Sequence, residues 1–208
     1  MRHEQAGADG VSLRLPPARR DGKAPLERLL SGRRSIREFA PSALTLAEVG
    51  QILWAAQGVT HPAGLRVAPS AGALYPLETY LLGGEVSGLA AGIYHYQPHE
   101  HGLAKVGEGD RRAGLARAAL GQMWVADAPA VLVLAAVYRR TAARDGARAE
   151  RYVHIEVGHA AQNVYLQALA LGLATTEVGA FDDQAVQSVL GLAGDRDPLA
   201  LMPLGRLA

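Results

Sequence analysis

The sequence predicts an α+β fold in which a central sheet is flanked by long helices. Residues 130–137 form a near-continuous apolar run, which is typical of a central strand buried on both faces. Residues 150–171 place apolar side chains over much of a helix circumference, so we expect a long helix inside a large core or a subunit interface. Shorter strand and helix patterns fill the rest of the chain, and we expect three or four core strands with helices between them.

Composition narrows the classes of function. The chain has 208 residues, enough for one domain with a substantial core. Its net charge is +1, from 21 Lys+Arg against 20 Asp+Glu, which argues against a dedicated nucleic-acid binder. The lack of cysteine excludes disulfides, cysteine-ligated metals, iron–sulfur clusters and a cysteine nucleophile. Redox chemistry would therefore require a bound cofactor.

The sequence contains no evident targeting or membrane segment. Residues 1–10 are polar and lack the apolar stretch of a signal peptide. The longest apolar run, residues 128–138, is shorter than the about 20 residues that cross a bilayer. We expect a soluble, cytoplasmic protein with no membrane partner.

The chain divides into an arm and a domain. Residues 1–22 show little periodicity, and we expect a flexible or extended N-terminal arm, although the alternation of Val11, Leu13 and Leu15 also fits a short strand. The domain, residues 23–208, begins with a short helix at residues 25–30.

Capping and breaker residues indicate the remaining elements. Thr45 and Glu48 form a capping box before a helix that Gly58 ends. The other predicted elements are a loop at 62–76, strands at 78–82, 93–96, 103–106, 174–180 and 199–204, helices at 110–121 and 182–190, and a charged, glycine-broken, mobile segment at 141–148.

Residues 33–37, Arg-Arg-Ser-Ile-Arg, are the first candidate site. Guanidinium groups and a hydroxyl so close together are what a buried phosphate monoester requires: fixed positive charge, bidentate donors and a short extra donor. Taken alone, the segment also fits a solvated arginine-rich turn.

Residues 69–76, Pro-Ser-Ala-Gly-Ala-Leu-Tyr-Pro, are the second candidate. Their small side chains would let the backbone approach a flat ligand closely. A plain surface loop is the alternative interpretation.

Two other groups of polar residues carry weaker signals. His95, His99 and His101 fall on a predicted hairpin without a supporting carboxylate or cysteine framework, so we expect a solvated hairpin and no metal site. Glu156 and His159 are polar residues within the apolar pattern of the long helix. We expect them to lie in the core with their hydrogen bonds satisfied.

Four motifs together resemble those of the nitroreductase-type FMN oxidoreductases, and more narrowly the branch close to the peptide-azoline dehydrogenases of thiazole/oxazole-modified peptide pathways. The motifs are residues 33–37, residues 69–76, residues 156–163 (Glu-Val-Gly-His-Ala-Ala-Gln-Asn), and residues 178–181 (Val-Gly-Ala-Phe) with the terminal Leu-Gly-Arg at 204–206. Their order and spacing cover the chain from about residue 13 to the C-terminus.

The resemblance implies a nitroreductase-like fold, with an antiparallel-rich central sheet flanked by helices, in a domain-intertwined homodimer that holds two FMN molecules at the subunit interface. The residues implied at the FMN phosphate and ribityl chain are Arg33, Arg34, Ser35, Arg37 and Arg206. The residues implied to line the isoalloxazine from the partner subunit are Pro69, Ser70, Ala71 and Ala73. The backbone at Val178 and Gly179 would face the flavin near N5, and Gln122 would bond its pyrimidine edge.

The activity implied by the resemblance is ping-pong hydride transfer. NAD(P)H delivers hydride to flavin N5, and a nitroaromatic, a quinone or a similar small acceptor then takes its place. Because the flavin carries the chemistry, no side-chain acid or base is strictly required. NADH and NADPH are not distinguished, since the family has no Rossmann fingerprint to inspect.

One position departs from the azoline-dehydrogenase pattern. Those enzymes carry a Lys-Tyr pair a few residues before the long helix, where spacing places Arg144 and Asp145 here. A base must be unprotonated to accept a proton, and Arg stays protonated, so Asp145 is the remaining candidate. We therefore expect a general flavin reductase, without a leader-peptide-binding domain, rather than an azoline oxidase.

Three alternatives remain open at this point. A dehydrogenase of a peptide-derived or other natural product would use NAD(P)H weakly. A non-catalytic FMN- or nucleotide-binding module would bind without turnover. RNA binding through the arginine segment is disfavoured by the near-neutral charge.

Overall fold

The fold is built on ten strands, eight of which form one antiparallel sheet. The structure, a computed structural model, describes residues 12–192 and 194–208. The strands are β1 (Ser12–Arg14), β2 (Phe39–Ala40), β3 (Leu44–Thr45), β4 (Leu77–Gly83), β5 (Val86–Ser87), β6 (Gly92–Gln97), β7 (Gly102–Glu108), β8 (Ala130–Ala136), β9 (Leu173–Thr175) and β10 (Asp197–Leu207). The order across the sheet is β1-β7-β6-β4-β8-β10-β2, with β9 also paired to β10, and β3 and β5 form a separate parallel pair.

Helices cover both faces of this sheet. They are α1 (Leu26–Gly32), α2 (Leu46–Gln57), α3 (Arg112–Ala118), α4 (Trp124–Asp127), α5 (Tyr138–Asp145), α6 (Ala149–Ala170) and α7 (Asp183–Leu190). Buried side chains of α2 and α6 join the core on one face, and those of α3, α4 and α7 join the core on the other.

The central strand β8 is buried along its whole length, as the sequence predicts. It lies between β4 and β10 and is antiparallel to both. Leu132 and Leu134 point into the core under α2 and α6, whereas Val131 and Val133 point into the opposite core. Because helices cover both faces, an antiparallel strand here needs apolar residues at every position.

The capping box predicted before α2 is confirmed. The Thr45 hydroxyl accepts a hydrogen bond from the backbone N–H of Glu48, and the Glu48 carboxylate accepts one from the backbone N–H of Thr45. These bonds satisfy amides that a helix start leaves without partners. The helix ends at Gly58, also as predicted.

Residues 141–148 are not the mobile segment that the sequence predicts. They form the second half of α5 and a following turn of 3₁₀ helix at Gly146–Arg148. Alanine and arginine are good helix formers, and Thr141 is buried, so propensity and packing both favour a helix. The glycine break falls at Gly146, whose φ of +56° ends α5.

Two other predictions differ from the structure in extent. Among the described residues the sheet has eight strands, and six of them overlap with strands that the sequence predicts. The other two are the edge strands β1, in the predicted arm, and β2, which are two or three residues long and too short to give a clear period-two pattern. The helix predicted at 110–121 spans only Arg112–Ala118. The chain leaves it at Leu120 and Gly121, which both have positive φ.

The N-terminal residues that the structure describes join the sheet. β1 pairs with β7, with Leu13 opposite Leu103, as the alternation around Leu13 indicates. The backbone N–H of Arg19 donates to Oε1 of Gln51 on α2, 2.8 Å away. The rest of the predicted arm, residues 1–11, lies outside the described residues.

None of the helices in the described part of the chain combines the length and the apolar character needed to span a bilayer.

Glu78 on β4 is a largely buried carboxylate held by His95 and Arg140. Its side chain is 12% exposed, and it bonds His95 Nε2 at 2.6 Å and the Arg140 guanidinium. Burial alone would raise the pKa of Glu78, but the hydrogen bond from His95 and the charge of Arg140 outweigh it and lower that pKa to about 2.

This pKa gives a prediction for acid stability. A carboxylate whose folded pKa is depressed adds stability above its unfolded pKa of 4.5, and that stability is lost as the pH falls toward about 2. At about 1.4 kcal/mol per pH unit, the contribution is about 3 kcal/mol. We expect Glu78→Gln to be less stable at pH 7 but to lose less unfolding free energy than the wild type between pH 4.5 and pH 2, measured by urea denaturation. Glu108→Gln, at a carboxylate 83% exposed, should follow the wild type; equal pH slopes in all three proteins would contradict the assignment.

Candidate functional site

The arginine segment 33–37 follows α1 and runs along the edge of the molecule. The backbone N–H of Ile36 donates to the carbonyl of Thr175 at the end of β9, 3.0 Å away. The Arg33 guanidinium lies 5.0 Å from the Tyr165 ring centroid, and that of Arg37 lies 5.5 Å from the Trp124 ring.

The guanidiniums of this segment have no acidic partner. Arg34 donates only to the backbone carbonyls of Ser31 and Arg33. Within residues 12–192 and 194–208, none of Arg33, Arg34 and Arg37 forms an ion pair with a carboxylate. The segment therefore presents uncompensated positive charge, which is what an anion site requires.

Tyr165 on α6 organises this edge. Its hydroxyl accepts a hydrogen bond from the backbone N–H of Glu177 at 2.7 Å, and it lies 3.0 Å from the hydroxyl of Ser35. When the Tyr165 proton is donated to Ser35 Oγ, the exposed Ser35 keeps its own proton for an outside acceptor. The Tyr165 side chain is only 9% exposed, so its position is fixed by the core.

Residues 178–180 border the arginine segment. Val178 is held by two backbone hydrogen bonds to Leu201 of β10, and Gly179 beside it has open space where a Cβ would stand. The side-chain amide of Gln122 donates to the carbonyls of Ala119 and Ala180. Both of its protons are thus used, which leaves its carbonyl oxygen as an acceptor.

Arg206 is placed differently from the other predicted phosphate ligands. Its guanidinium forms a two-pronged pair with the Glu48 carboxylate, at 2.9 and 3.1 Å. Burial acts to raise the pKa of Glu48, but hydrogen bonds from Thr45 and Arg206 outweigh it, so that pKa is lowered. A role for Arg206 at a phosphate remains a prediction, and it would compete with this ion pair.

The small-residue loop at 69–75 lies against the N-terminal half of α6. The Pro69 carbonyl is 3.4 Å from His159 Nδ1, and a Cβ at Gly72 would stand 1.9 Å from the Arg144 guanidinium. Glu156 and His159 precede Tyr165 by nine and six residues, so this loop and the arginine segment contact α6 at points about 9–14 Å apart along the helix.

The backbone of this loop is strained. Ala73 and Tyr75 have φ values of +54° and +47°, in the left-handed region that non-glycine residues seldom occupy. The Tyr75 N–H donates to the Ser70 hydroxyl at 2.9 Å and helps to hold this conformation. Strain of this kind tends to occur at functional sites.

The structure thus brings together one group of predicted site residues and separates another. One group lies together at the edge of the molecule beside Tyr165, and it consists of Arg33, Arg34, Ser35, Arg37, Gln122, Val178 and Gly179. The loop that carries Pro69, Ser70, Ala71 and Ala73 instead contacts α6 near its middle, at His159. Asp145, the candidate base, is the last residue of α5 and is half-buried.

Two residues of this site were not predicted. Tyr165 was not singled out within the long helix, and Trp124 lay in a linker between predicted elements. Both touch arginines of the segment, and an aromatic ring near an arginine motif is the signal that could have found them.

The predicted hairpin histidines have local partners. His95 bonds Glu78, and His101 Nδ1 is 2.9 Å from the Tyr96 hydroxyl while its Nε2 is 3.0 Å from the Pro16 carbonyl. Over the part of the chain that the structure describes, no group of three or more His, Cys, Asp or Glu side chains is arranged to hold a metal ion.

The role of Tyr165 gives a stability prediction. Tyr165→Phe removes the hydroxyl shared by Ser35 and the Glu177 N–H, and we expect it to lower the free energy of unfolding by about 1–2 kcal/mol. The control is Tyr152→Phe on the same helix, because the Tyr152 hydroxyl has no hydrogen bond to the described residues; it should change stability by less than about 0.5 kcal/mol. Equal effects in chemical denaturation would show that Tyr165 does not organise this edge.

Sequence comparisons match the whole folded region. The model of the nitroreductase family matches residues 30–206. A Methanocaldococcus jannaschii protein, provisionally named nitroreductase MJ1384, is 46% identical over 198 residues, which cover 95% of this chain and 98% of that protein.

Three solved structures are similar. A provisionally named nitroreductase from Ralstonia eutropha has a TM-score of 0.83 and 30% identity, over 95% of this chain and 90% of that one. Another, from Anabaena variabilis, has a TM-score of 0.78 and 31% identity over 88% of this chain, which spans only 38% of the Anabaena chain. A chain of the Escherichia coli microcin synthetase McbBCD complex, with truncated pro-MccB17 bound, has a TM-score of 0.73 and 25% identity, over 82% of this chain and 67% of that one.

The eight-stranded antiparallel sheet with helices on both faces, the four motifs in order and these matches confirm the predicted fold and resemblance: this chain belongs to the nitroreductase family.

Proposed function

We propose that this protein is an FMN-dependent oxidoreductase that acts as a homodimer and passes a hydride from NAD(P)H to a nitroaromatic, a quinone or a similar small acceptor. The observation that carries the proposal is the group of arginines without acidic partners around the Ser35 hydroxyl, next to the open backbone at Gly179. Family membership supports an oxidoreductase.

The residues at this edge fit the phosphate end of FMN. A phosphate monoester carries nearly two negative charges at neutral pH, and such a group in a partly buried site requires several fixed cations. Arg33, Arg34 and Arg37 would supply them, and Ser35 would donate its hydroxyl proton. Because these guanidiniums face aromatic rings or backbone rather than carboxylates, no ion pair has to break when the phosphate binds.

The neighbouring segment fits the ring end. Bound FMN would supply two-electron chemistry, accepting a hydride and passing it on. The absence of a side chain at Gly179 lets a flat ring approach the backbone. The free carbonyl oxygen of Gln122 can accept from an N–H donor on the ring edge, because both amide protons of Gln122 are already used.

A second copy of the chain would cover an unusual face of α6. Exposed or half-exposed residues follow one another at intervals of three or four positions along this face, at 152, 155, 159, 162, 166 and 169. Apolar members include Ile155, which is 50% exposed, and Leu166 and Leu169. An apolar stripe with this spacing is what paired helices bury at an interface.

A dimer would also complete the site. The loop and the arginine segment contact α6 at separate points, and the resemblance implies that the loop lines a flavin whose phosphate is held by the other subunit. In a homodimer the loop of one subunit would meet the arginine segment of the other.

A dehydrogenase of a peptide-derived substrate is the second candidate, favoured by the likeness to the microcin synthetase chain. Against it stands the guanidinium of Arg144 at Gly72, which cannot serve as a neutral base. Asp145 is the alternative base for this reaction, and Asp145→Asn should abolish it while leaving NAD(P)H oxidation unchanged.

The deciding experiment is an anaerobic visible spectrum of the purified protein, supplied with FMN, before and after NADH or NADPH. A yellow protein that bleaches with either nucleotide, and regains colour with a quinone or nitroarene, supports the reductase. A yellow protein that ignores both nucleotides overturns the reductase and favours the second candidate or a non-catalytic FMN-binding module. A protein that takes up no FMN overturns the flavin proposal.

The phosphate assignment predicts weaker FMN retention in two variants. Arg33→Ala and Arg206→Ala each remove a charged donor, and we expect FMN dissociation constants at least about 10-fold higher, measured by fluorescence titration. Arg117→Ala, at an exposed arginine of α3, should bind normally.

Arg206 needs a second control because it pairs with Glu48. Glu48→Gln keeps the guanidinium and weakens the pair, so FMN affinity should hold or rise if Arg206 contacts the phosphate. Full FMN occupancy in both Arg33→Ala and Arg206→Ala would show that the phosphate binds elsewhere.

The proposed dimer predicts an assembly defect. Ile155→Arg places a charge in the apolar stripe of α6 and should give monomers that retain little FMN, measured by sedimentation and absorbance. Val106→Arg is the matched control, because Val106 is equally exposed, at 48%, on β7. A dimeric, flavin-loaded Ile155→Arg protein would exclude this face as the interface.

A further inference from the structure

Glu156 is a buried carboxyl group that the core does not satisfy. Its side chain is 2% exposed, on the face of α6 beneath the 69–75 loop. The hydroxyl of Ser70 is its one hydrogen-bond partner among the described residues, and its Oε1 has none. The sequence predicts a satisfied core hydrogen bonder here, and the structure shows instead an acid with spare capacity.

Among the residues that the structure describes, no cation is bonded to this carboxyl. The positive charge of Arg66 acts on it, but Nη1 of Arg66 donates to Gln57 Oε1 at 2.9 Å and the Arg66 guanidinium lies 4.6 Å from the Tyr75 ring centroid. Arg66 also faces the Glu78–Arg140 pair. The other charged or titratable groups beside the loop are His159 on α6 and Arg144 on α5.

This environment favours the protonated form of Glu156 more than water does. Burial raises the pKa of Glu156 to about 7, although the Ser70 hydrogen bond and the charge of Arg66 act to lower it. Glu156 is therefore a carboxyl group that can hold and release a proton near neutral pH.

Ser70 connects this buried acid to the surface of the loop. Ser70 is half-buried, and one lone pair of its oxygen accepts from the Tyr75 N–H. A hydroxyl has a second lone pair and one proton. When Glu156 is ionised, the Ser70 hydroxyl donates to it, and this bond acts to lower the pKa of Glu156. When Glu156 is protonated, the second lone pair of Ser70 can accept from it, and the Ser70 proton is free to point outward, which is the arrangement that a one-step relay requires.

We propose that Glu156 and Ser70 form a proton relay that supplies the proton consumed when an acceptor is reduced at this site. The proposal rests on the proposed function. Two-electron reduction of a quinone or nitro group by NAD(P)H requires one hydride and one proton. The Glu156 O–H bond breaks as Ser70 Oγ gains that proton, the original Ser70 O–H bond breaks, and a new O–H bond forms on the acceptor. The Glu156 carboxylate then regains a proton from solvent.

The relay assigns a function to the strain in the loop. Ala73 and Tyr75 adopt left-handed conformations, and the Tyr75 N–H donates to the Ser70 hydroxyl, which also bonds Glu156. Arg66 remains close enough to favour the carboxylate after the proton has left. A purely structural carboxyl would need neither arrangement.

The test uses FMN-loaded wild type, Glu156→Gln, Ser70→Ala and Ser70→Thr, with Glu150→Gln as a control at an exposed carboxylate of α6. Stopped-flow absorbance separates reduction by NADPH from reoxidation by a quinone. We expect wild-type reoxidation to slow as the pH rises through about 7, since the acid form is required. Glu156→Gln and Ser70→Ala should reoxidise about 100-fold more slowly, without this pH dependence. In these variants reoxidation should slow far more than reduction by NADPH, which consumes no proton at the acceptor, and Ser70→Thr should restore the reoxidation rate.

An infrared titration gives a readout that is independent of turnover. The wild-type minus Glu156→Gln difference spectrum should show a neutral carboxylic acid band that disappears as the pH rises through about 7, with or without FMN. Glu150→Gln should behave as wild type in both measurements. If Glu156→Gln does not fold, the reoxidation rates of Ser70→Ala and Ser70→Thr test the relay instead. The carboxylic acid band should then shift in frequency in Ser70→Ala, because that variant removes the hydrogen bond to Glu156.

Each failure has a distinct meaning. The relay would be overturned by a pH dependence of reoxidation that persists in Glu156→Gln, or by equal reoxidation rates in Ser70→Ala and the wild type. The proposed function would stand in both cases, provided that NADPH still reduces the flavin. The absence of a titrating acid band would also overturn it. Failure of the wild type to bind FMN or to be reduced would instead overturn the proposed function.

Discussion

The packing of α6 against the sheet is the constraint on which the rest of the structure depends. Val153, Ala160 and Val164 are buried in the core beneath this helix, and they fix its rotation and its position along the sheet. Helical geometry then determines where the other side chains stand. Tyr165 meets the arginine segment, and Glu156 lies beneath the small-residue loop. The helix thus positions both ends of the candidate site, and its exposed apolar stripe supports the proposed dimer.

The arginine segment is stabilised without losing its charge. Three guanidiniums within five residues repel one another, and carboxylate partners would relieve this repulsion at the cost of the site. Arg33 and Arg37 lie over aromatic rings instead, and each such contact contributes about 0.5–1 kcal/mol at an exposed position. That is enough to orient a side chain and too little to compete with a doubly charged anion. Arg206 shows the alternative, because Glu48 already neutralises it.

Sequence patterns predicted the helices and strands that depend mainly on neighbouring residues in the chain. The apolar run of β8, the capping box at Thr45 and the long helix need only a periodicity or a cap, and all three are confirmed. The sequence did not predict α5, because a segment with so many charged residues resembles an exposed loop. The burial of Thr141, which helps to hold the helix against the core, is a tertiary feature.

The roles of Tyr165 and Glu156 depend on residues remote in the chain. Ser35 lies 130 positions before Tyr165 in the chain. Only this tertiary contact shows that Tyr165 belongs to the candidate site as well as to the core of the protein. The motifs indicated which segments matter, but only the fold shows which partners each side chain finds and which it lacks.

Two buried carboxyl groups show how the fold separates charge storage from proton transfer. Glu78 bonds both His95 and Arg140, and these partners outweigh the cost of burial, so its pKa falls to about 2. Glu156 has a single hydroxyl as partner and a cation bonded elsewhere, so burial dominates and its pKa rises to about 7. A carboxyl group like Glu78 holds its neighbours in place and stays ionised well below neutral pH. One like Glu156 changes charge near neutrality, and placing it beneath a strained loop is useful only if its proton has somewhere to go.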